Sequence, residues 1–396
     1  MISPDPPERP VRALFSFPHK IGADRICQIA WHQAVGVTEA GGEVLVHPGA
    51  VHRPLPAGVP VRPTLARGRL RIPYRAIGSR RAFALHDASV ARRLRPLAAQ
   101  VDVVHVWPLG ARRTLEAAAG LGIPTVLERP NAHTRFAYSV VRAECDRLGV
   151  PLPADHEHAY NEDVLRLEEE EYRLADYLLC PSDFVVQTFL DEGFAAERLL
   201  RHSYGFDEQV FFPGDGTRDE PGLTLLFVGV AAVRKGLHFA LDAWLRSPAS
   251  REGTFLIAGE VLPAYAARLS GSLAHPSVRV LGHRTDVPDL MRRADVLVLP
   301  SIEEGFGLVC VEAMGSGCVP LVSTACTDAC RHMDNALVHG VGDVETLEGH
   351  ITALHEDREL LARLRAGALE SAPDFTWGAA GARLVGVYRH AARSAS

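Results

Sequence analysis

Lysine is almost absent from this sequence of 396 residues. Of its 42 basic residues, only Lys20 and Lys235 are lysines, and the others are arginines. Lysine carries a compact point charge, whereas arginine carries a planar fork of donors, so the two are not interchangeable. A chain that otherwise uses arginine keeps lysine mainly where a compact charge is wanted. Both lysines are therefore candidates for contact with an anion.

Long apolar runs, a paired pattern of cysteines and a positive net charge are missing as well. No run approaches the roughly 20 residues of a membrane-spanning helix, and residues 1–10 lack the apolar centre of a signal peptide. The seven cysteines are scattered and odd in number, which favours a reducing compartment. A net charge of −6 gives no general attraction to nucleic acid. We therefore expect a cytoplasmic protein without a nucleic-acid partner.

The sequence also lacks a convincing metal site. It offers no clear pair of aspartates in a loop. Cys326, Cys330 and His332 lie close together in the sequence, but zinc would need a fourth ligand. His156 and His158 have the spacing of metal ligands, yet the surrounding prolines and acids favour a solvent-exposed loop. We expect neither a metal ion nor a cofactor.

Short apolar runs alternate with helical stretches along the whole chain, a pattern that predicts parallel sheets with right-handed crossovers. A loop-like composition over 206–222 marks a linker between two such series. The length and the 47% of hydrophobic residues suit two domains. The sequence thus predicts an α/β protein with two Rossmann-like, doubly wound domains facing a central cleft. The predicted strands are 11–17, 43–47, 101–107, 125–128, 174–181, 225–228, 254–258 and 296–299.

The stretch 294–317 carries the most chemical information. It reads as a buried strand over 296–299, a turn, and a short helix from about 307 to 316. The glycines of the turn let backbone approach a ligand, and the helix directs unpaired N–H groups toward an anion. Glu304 in the turn and Glu312 in the helix add carboxylates that accept hydrogen bonds from hydroxyls. A ligand with both phosphate and hydroxyl groups, such as a sugar nucleotide, fits this pattern.

Three blocks of this sequence resemble one known family. Glu304 and Glu312, with seven residues between them that begin Gly-Phe-Gly-Leu-Val, resemble the signature of retaining, family-4-type glycosyltransferases with the GT-B fold, also called glycosyl transferases group 1. The segment 226–237 resembles the strand, phosphate loop and helix that open the second domain of that family. The segment 281–295 resembles the region around the donor base. The similarity is dense over 223–347 and thinner before it.

The resemblance implies roles for residues of the second domain. Glu304 would accept hydrogen bonds from the donor sugar and Glu312 from the ribose, while its neighbour Glu303 would be a bystander. Arg234 and Lys235 would stabilise the leaving diphosphate without a metal, and together with Glu304 they would be catalytic. Many relatives carry an arginine directly after the glycine equivalent to Gly229, whereas this chain has Val230 there. The other donor-binding residues that the resemblance implies are Gly229, Gly305, Phe306, Gly307, Leu308, Val309, His283 and Arg284.

The first domain would supply the acceptor side. By resemblance, His133 lies in a loop near the sugar and the reaction centre, where it is the catalytic candidate, with Arg129 second. Gly22 would be a close-approach glycine near the phosphates or the acceptor. His105 and Trp107 end another strand, where they either line the cleft or pack in the core.

The resemblance also divides the chain and predicts its activity. The first domain would comprise residues 1–212, with a C-terminal helix at 376–396 crossing back onto it, and the second domain residues 213–375. The implied activity is metal-independent transfer of a sugar, with retention, from a nucleotide-diphosphate sugar to an acceptor hydroxyl or amine. The donor is then a substrate, and no cofactor is required.

The acceptor class depends on an arginine-rich segment at 62–95, whose only acid is Asp87. Basic patches of this kind bind anionic headgroups. On this interpretation the protein associates weakly with the inner membrane face and acts on a lipid- or cell-envelope-directed acceptor. Pro73 and Gly78 interrupt the segment, which favours an ordinary surface and a small-molecule or natural-product acceptor. Because a fold alone does not decide function, a non-catalytic nucleotide-sugar-binding subunit, an epimerase or a phosphorylase also stays open.

Overall fold

The computed structural model describes residues 9–67, 70–71, 77–214 and 222–394. Part of the predicted linker, part of the arginine-rich segment and the last two residues of the predicted C-terminal helix lie outside these ranges. Within them, no helix is both long enough and apolar enough to cross a membrane.

The first sheet is wholly parallel. Its strands are β1 (Arg12–Ile21), β2 (Glu43–Val51), β5 (Val103–Val106), β6 (Thr125–Glu128), β7 (Tyr177–Cys180) and β8 (Leu199–Arg201). They lie in the order β2-β1-β5-β6-β7-β8. Every residue of β5 and β6 is buried, as expected for strands covered by helices on both faces. A short antiparallel pair, β3 (Ala66–Arg67) and β4 (Leu70–Arg71), stands apart from this sheet.

Helices cover both faces of the first sheet. Helix α1 spans Ile26–Glu39, and an apolar side of it packs on the sheet. The others are α2 (Ser79–Leu94), α3 (Arg112–Ala119), α4 (Thr134–Leu148), α5 (Glu162–Leu174) and α6 (Asp183–Asp191), with 3₁₀ turns at Arg95–Gln100 and Ala196–Arg198.

The second sheet repeats this architecture. Its strands are β9 (Thr224–Val228), β10 (Thr254–Ala258), β11 (Val278–Gly282), β12 (Val296–Leu299), β13 (Val319–Ser323) and β14 (Leu337–His339). They are parallel and lie in the order β11-β10-β9-β12-β13-β14. The order reverses between β9 and β12, so the loops after these two strands open at the crevice where doubly wound sheets bind ligands.

The helices of the second half complete the layers. They are α7 (Leu237–Arg246), α8 (Ala249–Glu252), α9 (Pro263–Arg268), α10 (Ser270–Leu273), α11 (Val287–Arg293), α12 (Leu308–Gly315), α13 (Val344–Glu356), α14 (Arg358–Ser371) and α15 (Trp377–Ser394), with 3₁₀ turns at Val233–Lys235 and Ala372–Phe375. Two six-stranded parallel sheets covered by helices confirm the predicted α/β class with two Rossmann-like domains.

The last helix, α15, packs against α1 of the first domain. The two helices come close because glycines meet at the crossing: a Cβ added to Gly381 would lie 2.3 Å from the carbonyl carbon of Gly36. Just before α15, Thr376 forms a bridge with Phe206, which follows the first sheet. The domain boundary at 212/213 stays a prediction.

Candidate active site

A cleft of about 510 Å³ lies between the two sheets and is lined by both domains. Helix α1 and the segments after β2, β6 and β8 form one wall, and the loops after β9 and β12 with helix α12 form the other. The residues that line it include Arg25, Gln28, His32, Arg53, Asn131, Tyr204, Asp207, Lys235, Glu304, Phe306, Gly307, Leu308, Val309, Glu312 and Trp377.

Glu304 lies at the centre of an ion-paired cluster on the second-domain wall. Its carboxylate pairs with the Nζ of Lys235 and lies 3.4 Å from Nη1 of Arg234. Burial alone would raise the pKa of Glu304, but the charges of Lys235 and Arg234 outweigh it and lower the pKa to about 2. Glu304 is therefore ionised at neutral pH, and the three predicted residues are brought together.

Glu303 is not the bystander that the motif spacing indicates. Its side chain is fully buried, and Nη1 of Arg234 lies 3.3 Å from one of its oxygens. The other oxygen accepts a 3.2 Å hydrogen bond from the backbone N–H of Ala132, in the first domain. Burial opposes ionisation of Glu303, yet a hydrogen bond from His158 and the charge of Arg234 keep its pKa below the usual value. Glu303 thus links Arg234 to the opposite domain.

Glu312 presents an unpaired carboxyl to the cleft. It lies half-buried on α12, and within the described residues its side chain has no hydrogen-bond or ion-pair partner. Burial raises its pKa to about 7. A carboxyl of this kind is available for the hydroxyl groups of a ligand.

Two of the predicted glycines have a positive φ. Gly307 precedes α12 with φ +68°, a conformation that favours glycine, and the first amides of this eight-residue helix open at the cleft. Gly229 follows β9 with φ +124°, and a Cβ added there would meet nothing within 4 Å. Leu308 and Val309, at the start of α12, line the cleft as expected.

Two other glycines were predicted to approach the ligand but approach the protein itself. A Cβ on Gly305 would lie 1.6 Å from the carbonyl oxygen of Pro130, so this position is an interdomain contact. A Cβ on Gly22 would lie 2.4 Å from the Cβ of Arg53. Phe306, between the motif glycines, is buried with its ring 5.6 Å from that of Tyr204.

His133 does not lie among the residues that line the cleft, contrary to its proposed place near the sugar. Its side chain is 1% exposed, and its ring packs against Tyr172 and Phe189. It precedes α4, where its Nδ1 accepts a hydrogen bond from the backbone N–H of Arg135. His133 therefore caps the helix instead of lining the cleft. Burial lowers the pKa of His133 to about 3.

Several other predicted positions are also absent from the cleft lining. Arg129 is buried in an ion pair with Glu168. His105 and Trp107 are buried in the first domain, which corresponds to the core alternative. The exposed pair of His283 and Arg284 follows β11, where Arg284 pairs with Asp286. The exposed Lys20 does not line the cleft either.

The cysteine and histidine residues whose sequence spacing resembles that of metal ligands have other neighbours in the structure. Among the described residues, no group of three His, Cys, Asp or Glu side chains has an arrangement suited to a metal ion. All seven cysteines are free, and Cys326 and Cys330 are buried. His158 is buried rather than solvent-exposed, with Nε2 3.4 Å from Glu303.

Sequence reasoning missed most of the first-domain wall. Arg25 lies between β1 and α1 and Arg53 follows β2, so both lie at carboxyl ends of neighbouring parallel strands, where the sequence could have placed them. Trp377 stacks on His32, with ring centroids 4.4 Å apart and an interplanar angle of 8°. This contact could not be predicted because it joins residues that are remote in the sequence.

Comparison with known proteins agrees with this geometry. Residues 222–357 match the family described as Glycosyl transferases group 1. A D-inositol 3-phosphate glycosyltransferase from Catenulispora acidiphila is 33% identical over 232 residues, 50% of this chain and 53% of that protein. The mannosylfructose-phosphate synthase of Agrobacterium fabrum is 26% identical over 302 residues, 69% of this chain and 64% of that protein. The lipopolysaccharide glucosyltransferase WaaG of Escherichia coli is 30% identical over 139 residues, 34% of this chain and 37% of that protein.

Solved structures resemble the whole chain. HepE from Anabaena, in complex with UDP, superposes with a TM-score of 0.65 at 17% identity, covering 96% of this chain and all of that one. Sucrose-phosphate synthase from Thermosynechococcus elongatus gives a TM-score of 0.67 at 18% identity, covering 98% and 100%. At such identities the likeness shows the fold alone. The alignments to the first two curated relatives span between about half and two thirds of those proteins. Residues 222–357 therefore match the glycosyl transferases group 1 family, and the chain has the GT-B fold.

Proposed function

We propose that this protein is a glycosyltransferase that moves a sugar from a nucleoside-diphosphate sugar to an acceptor hydroxyl or amine, with retention and without a metal ion. One observation carries the proposal. Glu304, Lys235 and Arg234 form an ion-paired cluster before α12, and the unpaired carboxyl of Glu312 lines the same cleft. Groups that bind phosphate and groups that bind hydroxyls are therefore available side by side.

The reaction demands stabilisation of negative charge. The bond between the anomeric carbon and the phosphate oxygen breaks, and its electron pair stays on the diphosphate. The acceptor atom bonds to the anomeric carbon and loses its proton, which the leaving phosphate oxygen accepts. Cations and N–H donors that are already in position lower the energy of this state. Lys235, Arg234 and the first amides of α12 supply them in the proposed mechanism.

The two motif glutamates would recognise hydroxyl groups. Glu304 is ionised and fixed by Lys235, so its remaining lone pairs can accept hydrogen bonds from the donor sugar. Glu312 lies in α12, the helix that directly follows the Glu304 turn, and would accept from the ribose. The relatives named as acting on inositol phosphate and forming mannosylfructose phosphate, together with the UDP complex of HepE, support a nucleotide-sugar donor and a small-molecule acceptor.

A lipid- or cell-envelope-directed acceptor is the second candidate, supported by the similarity to the lipopolysaccharide glucosyltransferase. The described part of the arginine-rich segment gives it limited support. Arg81 and Arg92 are exposed on α2, but Arg80 pairs with Asp163 and Arg93 donates to the carbonyl oxygen of Arg62. Sedimentation with anionic vesicles at low and high salt separates this candidate from a soluble acceptor.

We expect the transferred sugar to keep its anomeric configuration and the activity to persist in EDTA. The physical reason is that Lys235, Arg234 and the α12 amides provide the positive charge that a metal ion supplies elsewhere. Product NMR after transfer from UDP-, GDP- and dTDP-sugars, selected by thermal shift, provides the measurement. An inverted product or a full dependence on divalent ions would contradict the mechanism. Donor binding without transfer or hydrolysis would favour a non-catalytic subunit.

We also expect nucleotide affinity to increase as the pH rises through about 7. Ribose hydroxyls favour the ionised form of Glu312, so the pKa of this residue should be lower in the complex than its value of about 7 in the free protein. Affinity then increases with pH until the free carboxyl is ionised, by roughly several-fold. Calorimetry on wild-type protein and Glu312→Gln gives the comparison, since any slope that remains in the variant belongs to the nucleotide. Identical slopes would remove Glu312 from the ribose site.

A further inference from the structure

The first-domain wall of the cleft carries two exposed arginines that have no ion-pair partner within the described residues. Arg25 and Arg53 line the same cavity as Lys235 and Glu304. Lys235 is already engaged by the Glu304 carboxylate. Within the described residues, the guanidinium groups of Arg25 and Arg53 have neither a hydrogen bond nor an ion pair. The first-domain wall therefore presents two arginines that are not ion-paired, with Asp207 on the same lining, on the side opposite the ion-paired cluster.

Arg53 is held in position by contacts that leave its N–H groups available. Gly22, with φ +77°, brings the end of β1 against the Arg53 backbone, and a Cβ there would collide with the Cβ of Arg53. The guanidinium carbon lies 3.6 Å from the ring centroid of Trp31. The indole N–H of Trp31 donates to the carbonyl oxygen of Pro54 at 3.0 Å, which fixes the ring. Stacking orients the cation without consuming its donors.

Arg25 is exposed and has an unusual backbone conformation. It is the residue before α1, with φ +58° and ψ −131°, a conformation that side-chain-bearing residues rarely adopt. Asp24 precedes Arg25, but no acidic residue lies in the first turn of α1, where the positive end of the helix dipole adds to the charge of Arg25. Backbone strain of this kind persists where the surrounding structure imposes it.

We infer that Arg25 and Arg53 form a phosphate-binding subsite on the first-domain wall, an inference that rests on the proposed glycosyltransferase function. Two guanidinium forks suit the oxygens of a phosphate group, to which they donate paired, charge-assisted hydrogen bonds. The donor diphosphate is expected on the opposite wall, at Lys235 and the start of α12. Because of this separation, we assign the subsite to a phosphate group carried by the acceptor. The donor diphosphate is the alternative ligand of the same chemical class.

The experiment titrates inorganic phosphate into the full-length protein by calorimetry, with and without saturating UDP. The variants are Arg25→Gly, which also relieves the backbone, Arg53→Gln, their combination, and Arg166→Ala as an exposed control on α5. Phosphate should bind the UDP-loaded wild-type protein, and the double variant should bind it about tenfold more weakly or worse. UDP affinity should stay within about twofold in all variants, because the arginines do not serve the donor. Circular dichroism verifies folding.

Each other outcome has a defined meaning. If the variants lose UDP affinity and phosphate does not bind the UDP-loaded wild-type protein, the arginines serve the donor diphosphate, and the acceptor assignment is wrong. If neither affinity changes, the subsite does not exist. If the wild-type protein binds no UDP, GDP or dTDP, the proposed function fails, while the phosphate titration without nucleotide still tests the subsite: equal phosphate affinity in wild-type protein and double variant overturns it.

Discussion

Replacing Glu304 or Lys235 by alanine is expected to lower the rate of sugar transfer by roughly a hundred- to a thousandfold, the usual loss when one preorganised charged group is removed. The two residues form one ion-paired unit with Arg234, so either substitution disturbs the other partner. Without Lys235 the leaving diphosphate loses a cation. Without Glu304 the donor sugar loses an acceptor and Lys235 loses the carboxylate that holds it in place.

Steady-state turnover at saturating donor provides the measurement. Lys20→Ala is the matched control for lysine, because Lys20 is exposed and does not line the cleft. Glu370→Ala serves the same purpose for the acid, since this residue is exposed on α14 of the second domain. Because the pair acts as a unit, the double variant should lose much less than the product of the single losses. Near-wild-type turnover in both single variants would mean that the site lies elsewhere.

Gly305→Ala is expected to reduce turnover by about a hundredfold while nucleotide affinity changes far less. The added methyl group would lie 1.6 Å from the Pro130 carbonyl oxygen, and this backbone atom cannot move aside alone. The hydroxyl of Ser182 donates to the Gly305 carbonyl oxygen at 2.6 Å, so the variant also disturbs a second interdomain contact. Displacing reacting groups by about 1 Å costs on the order of a hundredfold in rate. The proposed nucleotide contacts lie mostly on the second domain and stay together.

Turnover, nucleotide calorimetry and the radius of gyration from X-ray scattering together measure this effect. Gly349→Ala is the matched control: a Cβ on Gly349, within α13, would meet nothing within 4 Å. That variant should be about 1 kcal/mol more stable, because alanine favours a helix interior over glycine. A Gly305→Ala protein with wild-type turnover and wild-type dimensions would show that the Pro130 contact does not hold the domains together.

The sheets could be predicted because parallel strands are buried on both faces and leave uninterrupted apolar runs in the sequence. The strands β9, β10 and β12 end within a residue or so of the predicted ranges. The first strand runs to Ile21 rather than 17, since its last residues are mixed in polarity and give no apolar signal. Pairing with β2 extends the first strand to Ile21, which the composition does not indicate.

The candidate site was predictable only where a sequence motif identifies the residue. Lys235 and Glu304 were predicted from the resemblance of two separate motifs, and they meet because their loops follow β9 and β12, which are adjacent in the sheet. Gly305 and Gly22 were predicted to approach a ligand, but the approaching atoms belong to Pro130 and Arg53, which no local pattern specifies. Glu303 likewise turns toward the first domain, whereas its neighbour lines the cleft.

The scarcity of lysine has a practical consequence for labelling. An amine-directed reagent meets only two ε-amino groups in this sequence. Lys20 is exposed near the end of β1, whereas the Lys235 side chain is 15% exposed and engaged by the Glu304 carboxylate. An activated ester should therefore attach a fluorophore to the Lys20 side chain in preference to that of Lys235 in the native protein. A reporter can thus be placed on the first domain without replacing any other lysine, and slow secondary labelling of Lys235 would time the opening of its ion pair.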